Sequence, residues 1–372
     1  MQHTTLATSS IGACWPPELG SNNRIRGFYT DGIISDSADA DAFADAYHHA
    51  SLRVGQEVSR VSIRLVTFPD MLSELEDRGV PVEAAMPLSV PILRQSRGDH
   101  LIAYTGHNHH SRHETPDEEN VLLQPAPARQ LLWRDEVERK LGRVSQRLGD
   151  DLRLGSIGRD TEEAYRLSMS PNFAELYAPF GYDDADVQEL LTNPNNTVVW
   201  VETSNGTVLS TAMAEIATIS VAGLGNLVMA EVTEASTLPG YRGQGLYRVA
   251  SGALICRLAD MSHEAIQNGE NPIHAIYGEA NMNMPGVLQA SMQNGRRFAS
   301  HDAASYGSRF DAQNRIADGR QPFGVLEQNF RVEDGIVAPG RYNSFALSYV
   351  PAETMNPLLM YPRVSHGNIA TH

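Results

Sequence analysis

The pentapeptide RGQGL, residues 242–246, has the residue types and the glycine spacing of an anion-binding turn. It comes directly before an apolar run that predicts a long helix, ending at about residue 268. Glycines let a backbone approach a ligand closely, and the first N–H groups of a helix favour negative charge through the helix dipole. The segment therefore predicts a bound phosphate group, with Arg242 supplying a positive charge.

Two carboxylates, Glu231 and Glu234, precede this turn in a predicted strand over residues 225–237. Side chains alternate along a strand, so residues three apart face opposite sides of the sheet unless a bulge intervenes. We therefore expect only one of the two to face a substrate pocket directly. Each is also compatible with an exposed strand position or with an ion pair to an arginine.

The composition is that of a globular protein with room for two domains: 372 residues, 41% hydrophobic and 20% charged. A net charge of −16 argues against nucleic acid and anionic membrane surfaces as partners, and favours a cationic small molecule. Lys140 is the single lysine, which argues against lysine-based catalysis. No signal peptide or membrane span is apparent, which predicts a cytoplasmic protein.

Patterns typical of strands and helices divide the chain into three parts. Residues 1–106 predict a small α/β N-terminal domain. Residues 107–149 combine a polar, proline-containing linker with an amphipathic connecting helix. Residues 150–372 predict a larger domain that contains the RGQGL turn and most of the strands.

The order of strand, RGQGL turn, long helix, strand IHAIYGEA and a helix opened by NMNMPG resembles the GNAT family of N-acetyltransferases. The run EVTEASTLPGYRGQGL is similar in particular to β-lysine N-acetyltransferases. The matching positions are Glu231, Thr233, Glu234, Thr237, Leu238, Pro239, Arg242, Gly243, Gly245 and Leu246. A looser likeness extends to NNRIRGFYT and GDHLIAYT in the first domain. The resemblance implies an α/β (α+β) GNAT fold, in which helices flank a mixed, mostly antiparallel sheet after a smaller α/β domain.

The resemblance also implies acetyl-coenzyme A as cosubstrate and no metal. The diphosphate would lie on the amides of Gly243 to Tyr247, and the pantetheine arm would pair with strand backbone where two parallel strands part. An amide from about Ser236 to Leu238 would polarise the thioester carbonyl. Tyr247 departs from the small residue usual at its place. The implied cofactor-binding residues are Thr237, Leu238, Arg242, Gly243, Gln244, Gly245, Leu246, Tyr247, Asn281 and Asn283, although the two asparagines could simply cap a helix.

Such a site would acetylate a primary amine by direct attack on the thioester. An alkyl amine with a pKa near about 10.4 is almost fully protonated at pH 7, so a base is needed. Glu231 and Glu234 are the predicted bases. The usual tyrosine acid of the family would fall at Ser291, so Tyr247 and Tyr277 are candidate substitutes and the acid is unassigned.

The favoured acceptor is a small amino acid or diamine, such as β-lysine. A protein or peptide N-acetyltransferase and a noncatalytic coenzyme A-binding regulatory module are the alternatives. The oligomeric state is not predicted by the sequence.

Four histidines at positions 107, 109, 110 and 113 raise the possibility of a zinc site, because His109 and His113 are four residues apart. The surrounding serine, arginine and proline residues form no regular helical pattern. A solvated linker is the favoured interpretation.

Overall fold

A computed structural model describes residues 11–12, 24–52, 60–90, 100–108, 134–157, 161–173, 184–281, 285–299, 325–329, 332–333, 336–337 and 342–360. Among these residues, no helix combines the length and the apolar character needed to cross a membrane.

The first sheet has five strands in the order β1-β2-β3-β5-β4. Its strands are β1 (Ile11–Gly12), β2 (Arg24–Tyr29), β3 (Arg60–Thr67), β4 (Val82–Pro87) and β5 (Leu101–Asn108). Strands β2 and β3 run parallel, with helix α1 (Ser37–Ser51) between them in the chain, and the other pairs are antiparallel. Helix α2 (Met71–Asp77) follows β3. This is the small α/β unit that the sequence predicts.

The second sheet has eight strands in the order β11-β15-β10-β9-β8-β7-β6, and β12 also pairs with β15. Its strands are β6 (Leu152–Ile157), β7 (Asn196–Thr203), β8 (Val208–Val221), β9 (Gly225–Thr237), β10 (Ala275–Asn281), β11 (Arg297–Phe298), β12 (Val325–Asn329) and β15 (Tyr342–Tyr349). Strands β13 (Val332–Glu333) and β14 (Ile336–Val337) form a separate pair. Within the described residues of this sheet, β9 and β10 are the one parallel pair.

Six helices accompany the second sheet in the described part of the chain. They are α3 (Arg134–Leu148), α4 (Thr161–Ser168), α5 (Asp184–Thr192), α6 (Leu246–Gln267), α7 (Pro285–Gln293) and α8 (Ala352–Met360). The predicted architecture, a mixed and mostly antiparallel sheet flanked by helices after a smaller α/β unit, is confirmed.

The two faces of the large sheet bury different partners. On one face, Ala230 and Val232 of β9 pack in a core with residues of α6 such as Leu254. On the other face, Met229 and Tyr277 share a core with side chains of the N-terminal sheet. The N-terminal sheet therefore covers the face of the β9–β10 pair opposite α6, and it can contribute side chains there.

Helix α3, expected to connect the two domains, packs on the C-terminal unit. Its residues Val137 and Val144 lie in the same core as α6. Arg134 pairs with Asp260 of α6, with 2.6 Å between Nη2 and Oδ1. The helix therefore reinforces α6, whose first turn follows the RGQGL segment.

His274 joins the start of β10 to β9. Its N–H donates to the Val228 carbonyl at 2.7 Å, and the Val228 N–H donates to His274 Nδ1 at 3.0 Å. The imidazole is 4% exposed, and burial lowers its pKa from the ordinary value of about 6.5. The folded protein therefore holds a neutral ring with its proton on Nε2.

Because the folded state favours neutral His274, its contribution to stability is complete above about pH 6.5 and is lost as the pH falls. We expect the free energy of unfolding to decrease below that pH, with a slope of up to about 1.4 kcal/mol per pH unit from this one group. Urea denaturation between pH 5 and 8 measures the slope. In H274N, whose side-chain oxygen can accept the Val228 bond without titrating, this component should disappear.

The partly exposed His263 of α6 provides the matched control, because its ring bonds only to Gln267 among the described residues. The H263N variant, measured in parallel, shows how much of the slope changes when a histidine elsewhere is replaced in the same way. Equal slopes in wild type and H274N would show that His274 does not contribute.

Candidate active site

Strands β9 and β10 pair over a short distance and then part. Their parallel register covers Met229–Glu231 of β9 and Ala275–Tyr277 of β10. Beyond that point β9 continues to Thr237 against β8, and β10 continues to Asn281 against β15. A wedge-shaped gap therefore opens after Glu231 and Tyr277. We call the position of these two residues the vertex.

Strand β9 carries a β-bulge along this gap. Met213 of β8 lies opposite Thr233, but Thr211 lies opposite Ser236, so β9 has one extra residue between them. Glu234, at the bulge, has φ of 51°, a left-handed conformation that is uncommon outside glycine. Simple alternation therefore does not decide which face Glu234 occupies.

The main-chain groups near the end of β9 divide between β8 and the gap. The Leu238 N–H donates to the Leu209 carbonyl at 3.0 Å, so this predicted carbonyl-polarising donor is occupied. Because successive residues of a strand direct their N–H groups to opposite edges, the Thr237 N–H lies on the gap side. The Thr237 carbonyl, on the same edge, accepts a bond from Arg242 Nε at 3.0 Å.

The RGQGL turn is open to solvent at the end of this gap. A single 3₁₀ turn, Pro239–Tyr241, leads into it, and α6 begins at Leu246. Gly243 and Gly245 have φ of 77° and 83°, and a Cβ at either would meet no protein atom within 4 Å. Within the described chain, the main-chain N–H groups of residues 243–247 bond to no protein acceptor. These donors suit an anion.

Helix α3 adds a second arginine beside this turn. Arg147 Nη2 donates to the Gln244 carbonyl at 2.7 Å. The sequence did not indicate this contact, because the two residues are 97 positions apart. The turn therefore lies near the guanidinium groups of both Arg242 and Arg147.

Tyr247 does not fill the open side of the turn. Its ring is partly buried and packs against the α6 core. Burial raises the pKa of the phenol, while the Arg296 guanidinium partly opposes that rise. The replacement of a small residue by tyrosine is therefore accommodated on the protein side of the helix.

A buried charged cluster occupies the vertex on the face covered by the N-terminal sheet. Glu231, 8% exposed, accepts a hydrogen bond from the Tyr277 hydroxyl at 2.9 Å. Arg64 of β3 donates to the same hydroxyl at 2.8 Å, to Glu279 at 3.0 Å and to Glu231 at 3.5 Å. One guanidinium from the N-terminal unit thus contacts both carboxylates of the cluster.

The aromatic rings around Arg64 fix its position. Its guanidinium carbon lies 4.8 Å from the Tyr104 ring centroid and 5.1 Å from that of Tyr277. Burial lowers the pKa of Arg64, but electrostatic interactions with the neighbouring tyrosine and carboxylate groups outweigh it and raise the pKa well above its ordinary value. The group stays charged and holds Glu231 in place.

Tyr277 is a hydrogen-bond donor to Glu231 at neutral pH. Burial raises the pKa of this phenol well above its ordinary value, and Glu231 adds to the rise while Arg64 opposes it. A tyrosine held protonated in this way is a weak acid toward a leaving group. The geometry indicates that Tyr277 orients the Glu231 carboxylate through this hydrogen bond.

The other predicted site residues lie at or beyond the edge of this cluster. Glu234 is partly buried, and its carboxylate accepts a 3.4 Å bond from the Thr233 hydroxyl. The Thr237 hydroxyl bonds to Ser210 at 2.8 Å. Asn281 ends β10, but its side chain lies outside the described structure, as do Asn283 and His109–His113. No group of potential metal ligands occurs among the described residues.

No protein-family model and no curated protein sequence matches this chain. Solved structures with partial similarity include Arabidopsis thaliana NAA60 in complex with acetyl-CoA, with 10% identity and a TM-score of 0.33 over 53% of this chain and 97% of that chain. A spermidine N-acetyltransferase SpeG chimera from Vibrio cholerae and hSSAT has 16% identity and a TM-score of 0.32, over 55% and 98%. The protein yncA from Salmonella typhimurium, solved with acetyl-CoA, has 15% identity and a TM-score of 0.32, over 54% and 94%.

Proposed function

We propose that this chain is an acetyl-coenzyme A-dependent N-acetyltransferase that acts on a primary amine of a small molecule. The observation that carries the proposal is the parting of β9 and β10 at Glu231 and Tyr277, next to the open glycine turn. Acetyl-coenzyme A combines a diphosphate, an arm containing amides and a thioester. The diphosphate suits the donors of residues 243–247, and the arm suits the strand edges of the gap.

The residues at the vertex supply the acid–base chemistry of acyl transfer. Glu231 would accept a proton from the ammonium group, so that the neutral nitrogen attacks the thioester carbonyl carbon. A main-chain N–H on the gap side of β9 beside the vertex would donate to the carbonyl oxygen as negative charge develops there. The Thr237 N–H lies six residues, or about 16–20 Å, farther along the strand and would bind the pantetheine arm. No covalent intermediate on the enzyme is needed. Glu234 remains the second candidate base. It lies at the bulge, three residues farther along β9 than Glu231.

The charge of the cluster favours a cationic acceptor. Arg64 contributes one positive charge against the two negative charges of Glu231 and Glu279. On the face covered by the N-terminal sheet, the remaining negative charge, within a chain of net charge −16, would attract an alkylammonium group. Together with the resemblance to β-lysine N-acetyltransferases, this points to a small amino acid or diamine such as β-lysine.

Thiol release from acetyl-coenzyme A tests the proposal. The full chain is incubated with a panel of diamines and ω-amino acids, including β-lysine, and with peptides that carry free amino termini. We expect acceptor-dependent thiol release with small amines and little with peptides. Release with peptides alone would redirect the proposal to protein acetylation. If calorimetry shows coenzyme A binding but no amine is acetylated, the chain is a noncatalytic binding module.

A further inference from the structure

The side chain of Arg296 lies buried at the vertex, on the α6 side of the sheet. The residue is 5% exposed. A Cβ added to Gly278 would lie 2.2 Å from Arg296 Nη2 and 2.6 Å from the Val232 carbonyl oxygen. Gly278 and Val232 are the first residues beyond the last paired positions of β10 and β9. The guanidinium therefore occupies the point at which the two strands begin to part.

Arg296 has weak partners for a buried cation. Nη1 donates to the Ser291 hydroxyl at 3.4 Å and Nη2 to the Ser348 carbonyl at 3.5 Å, both long and both to neutral groups. Among the described residues, Nε has no acceptor and no carboxylate lies within ion-pair distance. Burial lowers the pKa of Arg296, but an arginine stays charged at physiological pH. A buried charge with so little compensation is costly unless a ligand supplies negative charge.

We propose that Arg296 stabilises the coenzyme A thiolate that leaves during acetyl transfer. This inference rests on the proposed function. The amine nitrogen forms a bond to the carbonyl carbon, the carbon–sulfur bond breaks, and its electron pair goes to sulfur. The nitrogen loses a second proton as the amide forms. Glu231 accepts it after passing the first proton, from the ammonium group, to solvent, and Arg296 keeps its own protons throughout. A thioester placed at the vertex brings its sulfur to the guanidinium, so the developing charge has a partner without proton transfer.

The position of Ser291 supports this role. The resemblance implied a tyrosine acid at residue 291, which would protonate the departing sulfur. In this chain Ser291 instead accepts a hydrogen bond from Arg296. Tyr247, which replaces a small residue, is near enough for its phenol and Arg296 to affect each other's pKa. A fixed positive charge thus occupies the region where the family would place a proton donor.

The pKa of the coenzyme A thiol in the complex provides the readout, because a thiol ordinarily has a pKa of about 8.5. A cation within about 4–6 Å lowers the pKa of an anionic group by about 1–3 units, so we expect the thiol of coenzyme A bound to wild type to have a pKa of about 5.5–7.5. Ultraviolet absorbance of the thiolate, with protein in excess over coenzyme A, measures this value. Desulfo-coenzyme A in the same titration subtracts tyrosine ionisation.

In R296M the thiol of bound coenzyme A should return to about 8.5, and R296K should retain part of the shift. The matched control is R297M, because the neighbouring Arg297 is exposed and pairs with Glu353 at the surface. R297M should titrate like wild type.

Three results would overturn the proposal. They distinguish a failure of the role of Arg296 from a failure of the proposed acetyltransferase function. An unshifted thiol in the wild-type complex, or an equally shifted thiol in R296M, rejects the role of Arg296 while leaving acetyl transfer intact. A wild-type protein that does not bind coenzyme A rejects the proposed function as well. If R296M does not fold, wild type and R296K still decide the question.

Discussion

Replacing Glu231 with glutamine is expected to lower kcat for amine acetylation by about 10²–10⁴-fold at pH 7, with little change in the Kd of acetyl-coenzyme A. Glutamine has nearly the same volume, and its side-chain oxygen can still accept the Tyr277 bond that is 2.9 Å long in wild type. The variant therefore removes the basic carboxylate while it preserves the packing at the vertex. Steady-state thiol release and calorimetry with coenzyme A measure the two quantities.

The pH dependence of the variant provides an independent sign of a lost base. Without a carboxylate to accept the proton, the rate should follow the fraction of neutral amine, which rises tenfold per pH unit up to about pH 10.4. The deficit relative to wild type should therefore shrink as the pH is raised from 7 to 9. A deficit that stays constant over this range would indicate that Glu231 positions another group instead of accepting a proton.

Glu279 offers the matched control for this experiment. Its carboxylate also pairs with Arg64, at 3.0 Å, and its side chain is as buried as that of Glu231. Both substitutions weaken the Arg64 cluster, but only Glu231 bonds to Tyr277 at the last paired position of the strands. E279Q should lose much less activity. The assignment of the base fails if E279Q is the more severe variant.

The parts of the site that depend on neighbouring residues were predictable from the sequence. The RGQGL turn requires two glycines with positive φ followed by a helix, and both conditions are visible in a short segment. The long helix, the strand before it and the mixed sheet follow from local hydrophobic patterns.

The parts that depend on distant residues could not be predicted. Arg64 lies 167 positions from Glu231 in the chain, and nothing in its own strand marks it as different from neighbouring arginines. The importance of Arg296 is visible only because the fold brings its guanidinium close to Gly278 of β10. The bulge at Glu234 depends on how β8 and β9 pair, and a bulge carries no strong sequence signal. The charge environment of the vertex therefore had to come from the fold.

The second large effect is expected at Gly245 of the glycine turn, where a substitution should weaken coenzyme A binding. Two variants with side chains of nearly the same size, G245D and G245N, isolate the contribution of charge. Gly245 has φ of 83° and ψ of 15°, a conformation that asparagine and aspartate enter more readily than other residues with a side chain. No protein atom lies within 4 Å of the added Cβ, so both variants should fold with similar stability. Relative to G245N, G245D should weaken coenzyme A binding by about 10- to 100-fold, because a carboxylate faces the diphosphate. Calorimetric Kd values measure the difference.

The comparison of G245D with G245N separates charge from shape, since both place a similar side chain in the space that a ligand would fill. The difference between them should shrink as ionic strength rises, because salt screens the exposed carboxylate from the diphosphate. Acetyl transfer from S-acetyl-pantetheine, which has no diphosphate, should proceed at similar rates in the two variants. Equal Kd values for coenzyme A at low salt would mean that the diphosphate does not bind at residues 243–247. The open N–H groups of this turn would then need another anion, and the acetyl-coenzyme A proposal would lose its main support.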